Sequence, residues 1–211
     1  MNIVILGPQA SGKGTQAKEI SKRLNLIHIE SGKILRLKAE TNPIIKEEIE
    51  KGILVDSNTT ISFINEYIRE NGFSYNNLLF DGFPRSEEQY NLLKSWLGEK
   101  GTKLDKVVYL KVSDKISEAR ISSRRTCSKC FAVYNLVTNP PKEQGLCDKC
   151  DGKLIIRDDD KFETVRVRLA TFHKQTEPIL ALAKKDGILI QVNGERAINE
   201  ITEEIMQKIS K

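Results

Sequence analysis

Long apolar runs are missing from this chain: nothing in its 211 residues approaches the length that spans a bilayer, so no membrane-spanning helix is expected. A strand-like apolar pattern starts at Asn2 and leaves no place ahead of it for a charged and apolar secretory leader, so a cytoplasmic location is expected. Internal repeats and low-complexity tracts are absent, which removes solenoids and disordered tails as organising principles. Histidine is scarce: His28 lies on an apolar strand and His173 in a helical stretch, neither with a partner at ligand spacing, so neither is a candidate for catalysis. The single tryptophan, Trp96, reads as packing. No dense basic block with interleaved aromatics occurs, and 34 basic residues against 29 acidic ones leave a net charge of only +5. Phosphate-bearing small molecules account for that surplus as well as nucleic acid does, and composition alone leaves both open.

What is present is concentrated at the start. The run Gly7-Pro8-Gln9-Ala10-Ser11-Gly12-Lys13-Gly14-Thr15 follows the apolar residues 2–6. A short buried strand, a glycine-bearing loop and a helix opening at the lysine make an anion cradle. Backbone N–H groups of the loop and of the helix N-terminus converge on phosphate oxygens, and Lys13 adds positive charge. The strict form of this pattern has Ser or Thr directly after the lysine to bind magnesium; here Gly14 intervenes and Thr15 comes one step later. That Gly-Lys-Gly-Thr ending resembles the form found in nucleoside monophosphate kinases.

Apolar runs recur at 2–6, 26–29, 78–80, 107–112 and 188–192, with helical periodicity between them. Strands alternating with helices predict a parallel sheet covered on both faces. A last helix is expected from about residue 197 to 209, with Ile198, Ile201, Ile205 and Ile209 as core packing. Two segments interrupt the alternation. Residues near 31–60 look helical, with Pro43 opening one helix and Gly52 closing it. Residues near 126–158 hold every cysteine, adjacent prolines at Pro140 and Pro141, and turn signals at Gly145 and Gly152, which predicts a loop-rich inserted subdomain.

The cysteines form two matched knuckles, Cys127-Ser-Lys-Cys130 and Cys147-Asp-Lys-Cys150, sixteen residues apart. This spacing brings four thiolates into a tetrahedron around zinc, and Lys129 and Lys149 inside the knuckles favour the thiolate form. Four cysteines fill the coordination sphere, so the zinc is expected to be structural, holding together an insertion of about 35 residues with little apolar surface of its own.

Arginine, whose planar fork binds two oxygens at once, stands at positions 36, 85, 120, 124, 125, 157, 166 and 168. Arg120 and Arg124 are four apart and are expected to share a helix face. With Arg157 and Arg168 they flank the cysteine insertion at both attachments; Arg23, Arg69 and Arg196 read as surface charges. The strand at 78–80 runs into Asp81-Gly82-Phe83-Pro84-Arg85, and a carboxylate leaving a strand beside a phosphate loop can orient water on magnesium. Asp158-Asp159-Asp160 reads either as a second acidic site or as a helix-capping run, with capping the default for at least one of them.

Together these residues resemble the adenylate kinases that carry a long, zinc-binding lid, and the likeness runs through almost the whole chain. Residues 7–15 resemble the family's phosphate loop. Ser31-Gly32 with Arg36, and Gly52-Ile53-Leu54-Val55, resemble the two ends of its monophosphate-binding segment. Residues 81–85 followed by Gln89 resemble its most diagnostic signature. Asn139-Pro140-Pro141-Lys142, Arg157-Asp158-Asp159 and Arg168 match the long-lid form. The resemblance implies an α/β phosphate-loop fold with a parallel five-stranded sheet. Its core would be 1–30, 61–124 and 161–211, its monophosphate segment 31–60 and its lid 125–160.

It also implies transfer of a phosphoryl group from magnesium-bound ATP to AMP, giving ADP; nothing in the sequence demands a partner chain, and a monomer is expected. Gly7, Gly12, Lys13, Gly14 and Thr15 would hold ATP phosphates, with Arg120 stacked on the adenine and Val133 and Tyr134 beside it. Arg36 and Arg85 would hold the AMP phosphate, Ser31 and Gln89 its adenine, with Gly32, Ile53, Leu54, Val55 and Gly82 around them. Arg124, Arg157 and Arg168 would stabilise the transferring group, Asp81 would support magnesium through water, and Asp159 would organise the lid arginines. Two departures stand out: Ala10 where the family has glycine, and Lys33 where it has aspartate. The rivals are a kinase of the same class acting on UMP, CMP or GMP, and a nucleotide-regulated protein whose zinc ribbon reads nucleic acid.

Overall fold

The computed structural model describes residues 1–157, 160 and 162–210, apart from the side chains of 162 and 163. At its centre is a five-stranded parallel sheet built from β1 (Ile3–Leu6), β2 (Ile27–Glu30), β3 (Leu78–Asp81), β4 (Lys106–Lys111) and a late strand, β8 (Leu189–Asn193). Their order is β2-β3-β1-β4-β8. The five apolar runs of the sequence are these five strands, displaced by at most one residue at any end. β1, β3 and β4 are legible because a strand buried on both faces reads as continuous apolar sequence, whereas the edge strands β2 and β8 are only partly buried.

Successive side chains on each strand enter opposite layers. Val4, Leu6, Leu78 and Phe80 pack with Ile64 and Ile68 of α4 (Ser57–Glu70), Tyr90 and Leu93 of α5 (Glu87–Glu99) and Ile179 of α8 (Ile179–Lys185). Ile3, Ile5, Leu79, Val108 and Leu110 pack on the other face with Ala17 and Ile20 of α1 (Lys13–Leu24) and Ile201 and Ile205 of α9 (Ile198–Ile209). The expected core role fails at one position. Ile198 is the first residue of α9 and is 40% exposed, because that turn stands at the rim of the sheet where a cavity opens.

With β1 between β3 and β4, the loops leaving the carboxyl ends of these strands converge, and a ligand crevice forms at such a point. The inserted segments lie around it. Between β2 and α4 are α2 (Ser31–Ala39) and α3 (Pro43–Lys51). The Asn42 side chain accepts from the Ile44 and Ile45 amides, Pro43 takes the first helical position, and Gly52 ends α3 with φ near +72°, where a side chain would be strained.

The second segment follows α6 (Asp114–Ser122) and precedes α7 (Phe162–Thr171). The expected loop-rich insertion is organised on a three-stranded antiparallel sheet, ordered β6-β5-β7, from β5 (Arg124–Cys127), β6 (Val133–Asn135) and β7 (Leu154–Ile155). Strands of two to four residues are too short to show a period. This geometry corrects the pairing of Arg120 with Arg124 on one helix face. α6 ends at Ser122, Ser123 caps it, and Arg124 opens β5, with Asn135 Nδ2 bracing the turn through the Arg120 carbonyl and the Ser123 hydroxyl.

Candidate active site

The loop between β1 and α1 is shaped by close approaches. A Cβ on Gly7 would stand 2.6 Å from Ser11 Oγ and 2.8 Å from the Leu110 carbonyl oxygen, so only glycine fits. Ala10 sits at φ near +54°, a conformation usually left to glycine, and its methyl packs against Ile121, Val165 and Leu169. The departure at Ala10 therefore pins the loop to α6 and α7. Gln9 Nε2 adds a hydrogen bond to the Arg168 carbonyl at 3.0 Å.

Lys13, the first residue of α1, folds back over this loop. Its Nζ donates to the carbonyls of Gly7 at 2.8 Å and Pro8 at 2.6 Å, and to Ser11 Oγ at 3.4 Å. Burial pushes its pKa down to about 7; Asp81 opposes that shift, while Arg85, Arg124 and Arg168 add to it by repulsion.

Around the loop lies a cavity of about 860 Å³. Gly7, Gly12, Lys13, Gly14 and Thr15 form one wall. Arg36 from α2, Arg85 after β3, Arg120 from α6, Arg124 from β5, Arg157 after β7 and Arg168 from α7 reach it from different parts of the chain, so the fold brings together arginines spread over more than half the sequence. Gly32, Leu54, Gly82, Val133 and Tyr134 also line it. Arg85 Nε donates to the Gly82 carbonyl at 2.6 Å, and Arg120 Nη1 donates to the Gly194 carbonyl at 3.0 Å.

Four residues named from the sequence are not among those lining this cavity. Ser31 is buried and donates to the Asp81 carbonyl at 3.1 Å, while buried Gln89 accepts from the Arg85 amide at 2.8 Å. Both brace the turn that carries Asp81 and Arg85. Val55 is buried and Ile53 is exposed, and neither lines the cavity.

Asp81 ends β3 inside the cavity, its Oδ2 3.5 Å from where a Cβ on Gly14 would sit, so a carboxylate faces the phosphate loop. That oxygen is 3.5 Å from His28 Nε2. The sequence gives His28 no partner; the fold supplies one from the neighbouring strand. His173 likewise meets Asp114 at 2.9 Å and Glu177 at 2.8 Å, on the exterior.

Asp158 and Asp159 lie outside the described residues. Asp160, not singled out from its acidic run, is buried: its carboxylate accepts from Arg124 Nε at 2.8 Å, pairs with Arg124 Nη2, and accepts from Arg168 Nη1 at 3.4 Å. No sequence signal separates it from its acidic neighbours, since its role depends on a guanidinium 36 residues away.

The thiols of Cys127, Cys130, Cys147 and Cys150 are free, and their sulfurs all lie within 4.8 Å of one another. Cys127 and Cys150 are 3.4 Å apart and Cys130 and Cys147 3.6 Å, close to the edge of about 3.8 Å in a tetrahedron of zinc–sulfur bonds. The Lys129 and Cys130 amides point at Cys127 Sγ, and a Cβ on Gly152 would meet that sulfur at 2.7 Å, so the backbone closes tightly over the site. The Tyr134 hydroxyl lies 3.4 Å from Cys147 Sγ and is the main cause that brings that thiol down to about 6. The donor set and its dimensions fit a structural zinc ion.

A family model for adenylate kinase matches residues 5–188. This chain belongs to the adenylate kinase family. The adenylate kinase of Acetivibrio thermocellus is 40% identical over 214 residues, covering all of this chain and 98% of that one. Those of Caldicellulosiruptor saccharolyticus, at 38% with 99% of each chain covered, and Archaeoglobus fulgidus, at 40% with 97% and 96% covered, are similar over the same extent. Among the described residues no helix is long and apolar enough to cross a membrane.

The lowered Lys13 pKa has a measurable consequence for this adenylate kinase. An anion beside Lys13 favours the charged ammonium, so binding a polyphosphate raises its pKa and takes up a proton at any pH between the two values. Calorimetry of ATP binding at pH 8 in buffers of different ionisation enthalpy should show uptake of close to one proton, since a group of pKa about 7 is mostly neutral there. Affinity should weaken as pH rises above about 7. Zero uptake at pH 8, with affinity flat across this range, would show that Lys13 is already charged in the free protein.

Proposed function

We propose that this chain transfers the γ-phosphoryl group of ATP reversibly to AMP, giving two ADP, by direct in-line displacement without a covalent intermediate. The observation that carries this reading is the convergence in one cavity of the Lys13 loop with Arg36, Arg85, Arg124, Arg157 and Arg168. Phosphoryl transfer asks little covalent chemistry of a protein and much alignment and charge neutralisation. In this account Gly7, Gly12, Lys13, Gly14 and Thr15 hold the ATP phosphates. Arg120, Val133 and Tyr134 flank its base, and Arg36 and Arg85 hold the AMP phosphate beside Gly32, Leu54 and Gly82. Arg124, Arg157 and Arg168 meet the group in flight. Ser31 and Gln89 meet the AMP adenine, and their hydrogen bonds to the Asp81 carbonyl and the Arg85 amide hold them to the turn that carries Asp81 and Arg85.

Magnesium, when bound, would draw charge from the ATP phosphates; Thr15 and, through water, Asp81 are the residues fitted to hold it. Segments 31–60 and 125–160 close over the two nucleotides, exclude the water that would otherwise accept the phosphoryl group, and carry the arginines inward. Zinc on Cys127, Cys130, Cys147 and Cys150 keeps the second segment rigid. Four thiols kept free as metal ligands suit a reducing cytoplasm. We take the working unit to be a monomer.

The decisive assay offers MgATP with AMP, UMP, CMP or GMP separately and measures ADP. Turnover with AMP and at most weak turnover with the others is expected. Preference for another acceptor would keep the chemistry and overturn the base assignment, and no turnover from folded, metal-loaded protein would overturn the reading. Stripping the metal with a thiol-competing chelator should lower the melting temperature and loosen the cysteine segment to proteolysis first. Identical melting with and without metal would contradict a structural zinc.

A further inference from the structure

We infer that Lys33 is a further phosphate-binding residue of this enzyme, contacting the acceptor phosphate beside Arg36. The inference rests on the phosphotransfer reading and extends it to a residue that the reading leaves without a role.

Lys33 lies in the first turn of α2 and lines the same cavity as Gly32, Arg36, Gly82 and Arg85. The groups around it are close together. A Cβ on Gly82 would be 3.2 Å from Arg85 Nη2 and 3.8 Å from the Gly32 amide, and one on Gly32 would be 3.3 Å from Arg36 Nη1. The side chain three residues before Arg36 projects from the same helix face. Among the described residues no hydrogen bond or ion pair holds Lys33, which is exposed; Glu30, the residue that caps α2, lies 3.9 Å from His28 instead.

By itself this is an unfavourable place for a cation. The helix N-terminus carries partial positive charge, the first turn of α2 contains no acidic residue, and a like charge follows at i+3. Each penalty changes sign if a phosphate dianion sits at that point. It would accept from the helix-start amides and pair with Lys33 and Arg36 together. A lysine also suits a position on the rim, because its long stem delivers a point charge without the fixed fork of arginine.

The test measures AMP binding by calorimetry in magnesium-free buffer for wild type, Lys33→Ala, Lys33→Asp and Lys33→Arg, with melting temperatures alongside. Loss of one charge-assisted contact is expected to weaken AMP binding about tenfold in Lys33→Ala and further in Lys33→Asp, with Lys33→Arg restoring most of it. KM for AMP should rise by a similar factor while KM for ATP stays nearly constant, a split that a loss of folding would not produce. Unchanged AMP affinity in both Lys33→Ala and Lys33→Asp, from wild type that makes ADP, would overturn the assignment alone. Wild type that neither binds AMP nor makes ADP would overturn the phosphotransfer reading and this assignment with it.

Discussion

Mutual repulsion among the cations of one cavity is the constraint under which the rest of this structure is arranged. Lys13, Arg36, Arg85, Arg120, Arg124, Arg157 and Arg168 face a common space, and Asp81 and Asp160 are among the carboxylates that answer them. Buried Asp160 holds Arg124 of β5 and Arg168 of α7 on one carboxylate, bracing the base of the cysteine segment against the core. Asp81 sits opposite, and its attraction partly offsets the desolvation that discharges Lys13. A fold that spends stability to hold like charges together is preorganised for a polyanion, whose arrival turns repulsion into binding energy without rearranging the cations.

Two features keep that arrangement rigid. The phosphate loop is fastened from outside by the Ala10 methyl against α6 and α7 and by Gln9 on the Arg168 carbonyl, so loop, Arg120 and Arg168 share one framework. In the cysteine segment, Tyr134 is among the residues lining the cavity, while its hydroxyl meets Cys147 Sγ and accepts from the Asp148 amide. A metal held by those sulfurs therefore steadies a cavity-lining residue as well as its own small sheet.

The parts of this molecule that obey short-range rules are legible in its sequence. Both-face burial makes β1, β3 and β4 read as apolar runs, Pro43 and Gly52 mark α3, and the paired knuckles locate the sulfur cluster. What escapes the sequence depends on long-range placement. β5, β6 and β7 are too short for a period, so Arg124 is misplaced on a helix that has already ended. Ile198 keeps its helical spacing but loses burial because the helix begins at the cavity rim. The His28–Asp81 contact needs strand neighbours, and Asp160 needs an arginine from across the insertion. Ser31 and Gln89 are recognisable as special residues, but only the hydrogen bonds show that they brace the turn that carries Asp81 and Arg85.

The central claim is that two nucleotides meet phosphate to phosphate on one set of cations. A single molecule with two adenosines joined 5′ to 5′ through a polyphosphate chain tests this most directly, by competition calorimetry against ATP and AMP in turn. The account predicts one molecule bound per chain, displacement of both nucleotides, and affinity well above either alone, because the second adenosine binds without a second loss of translational freedom. Displacement of ATP while AMP stays bound would place the two nucleotides in separate sites and contradict it.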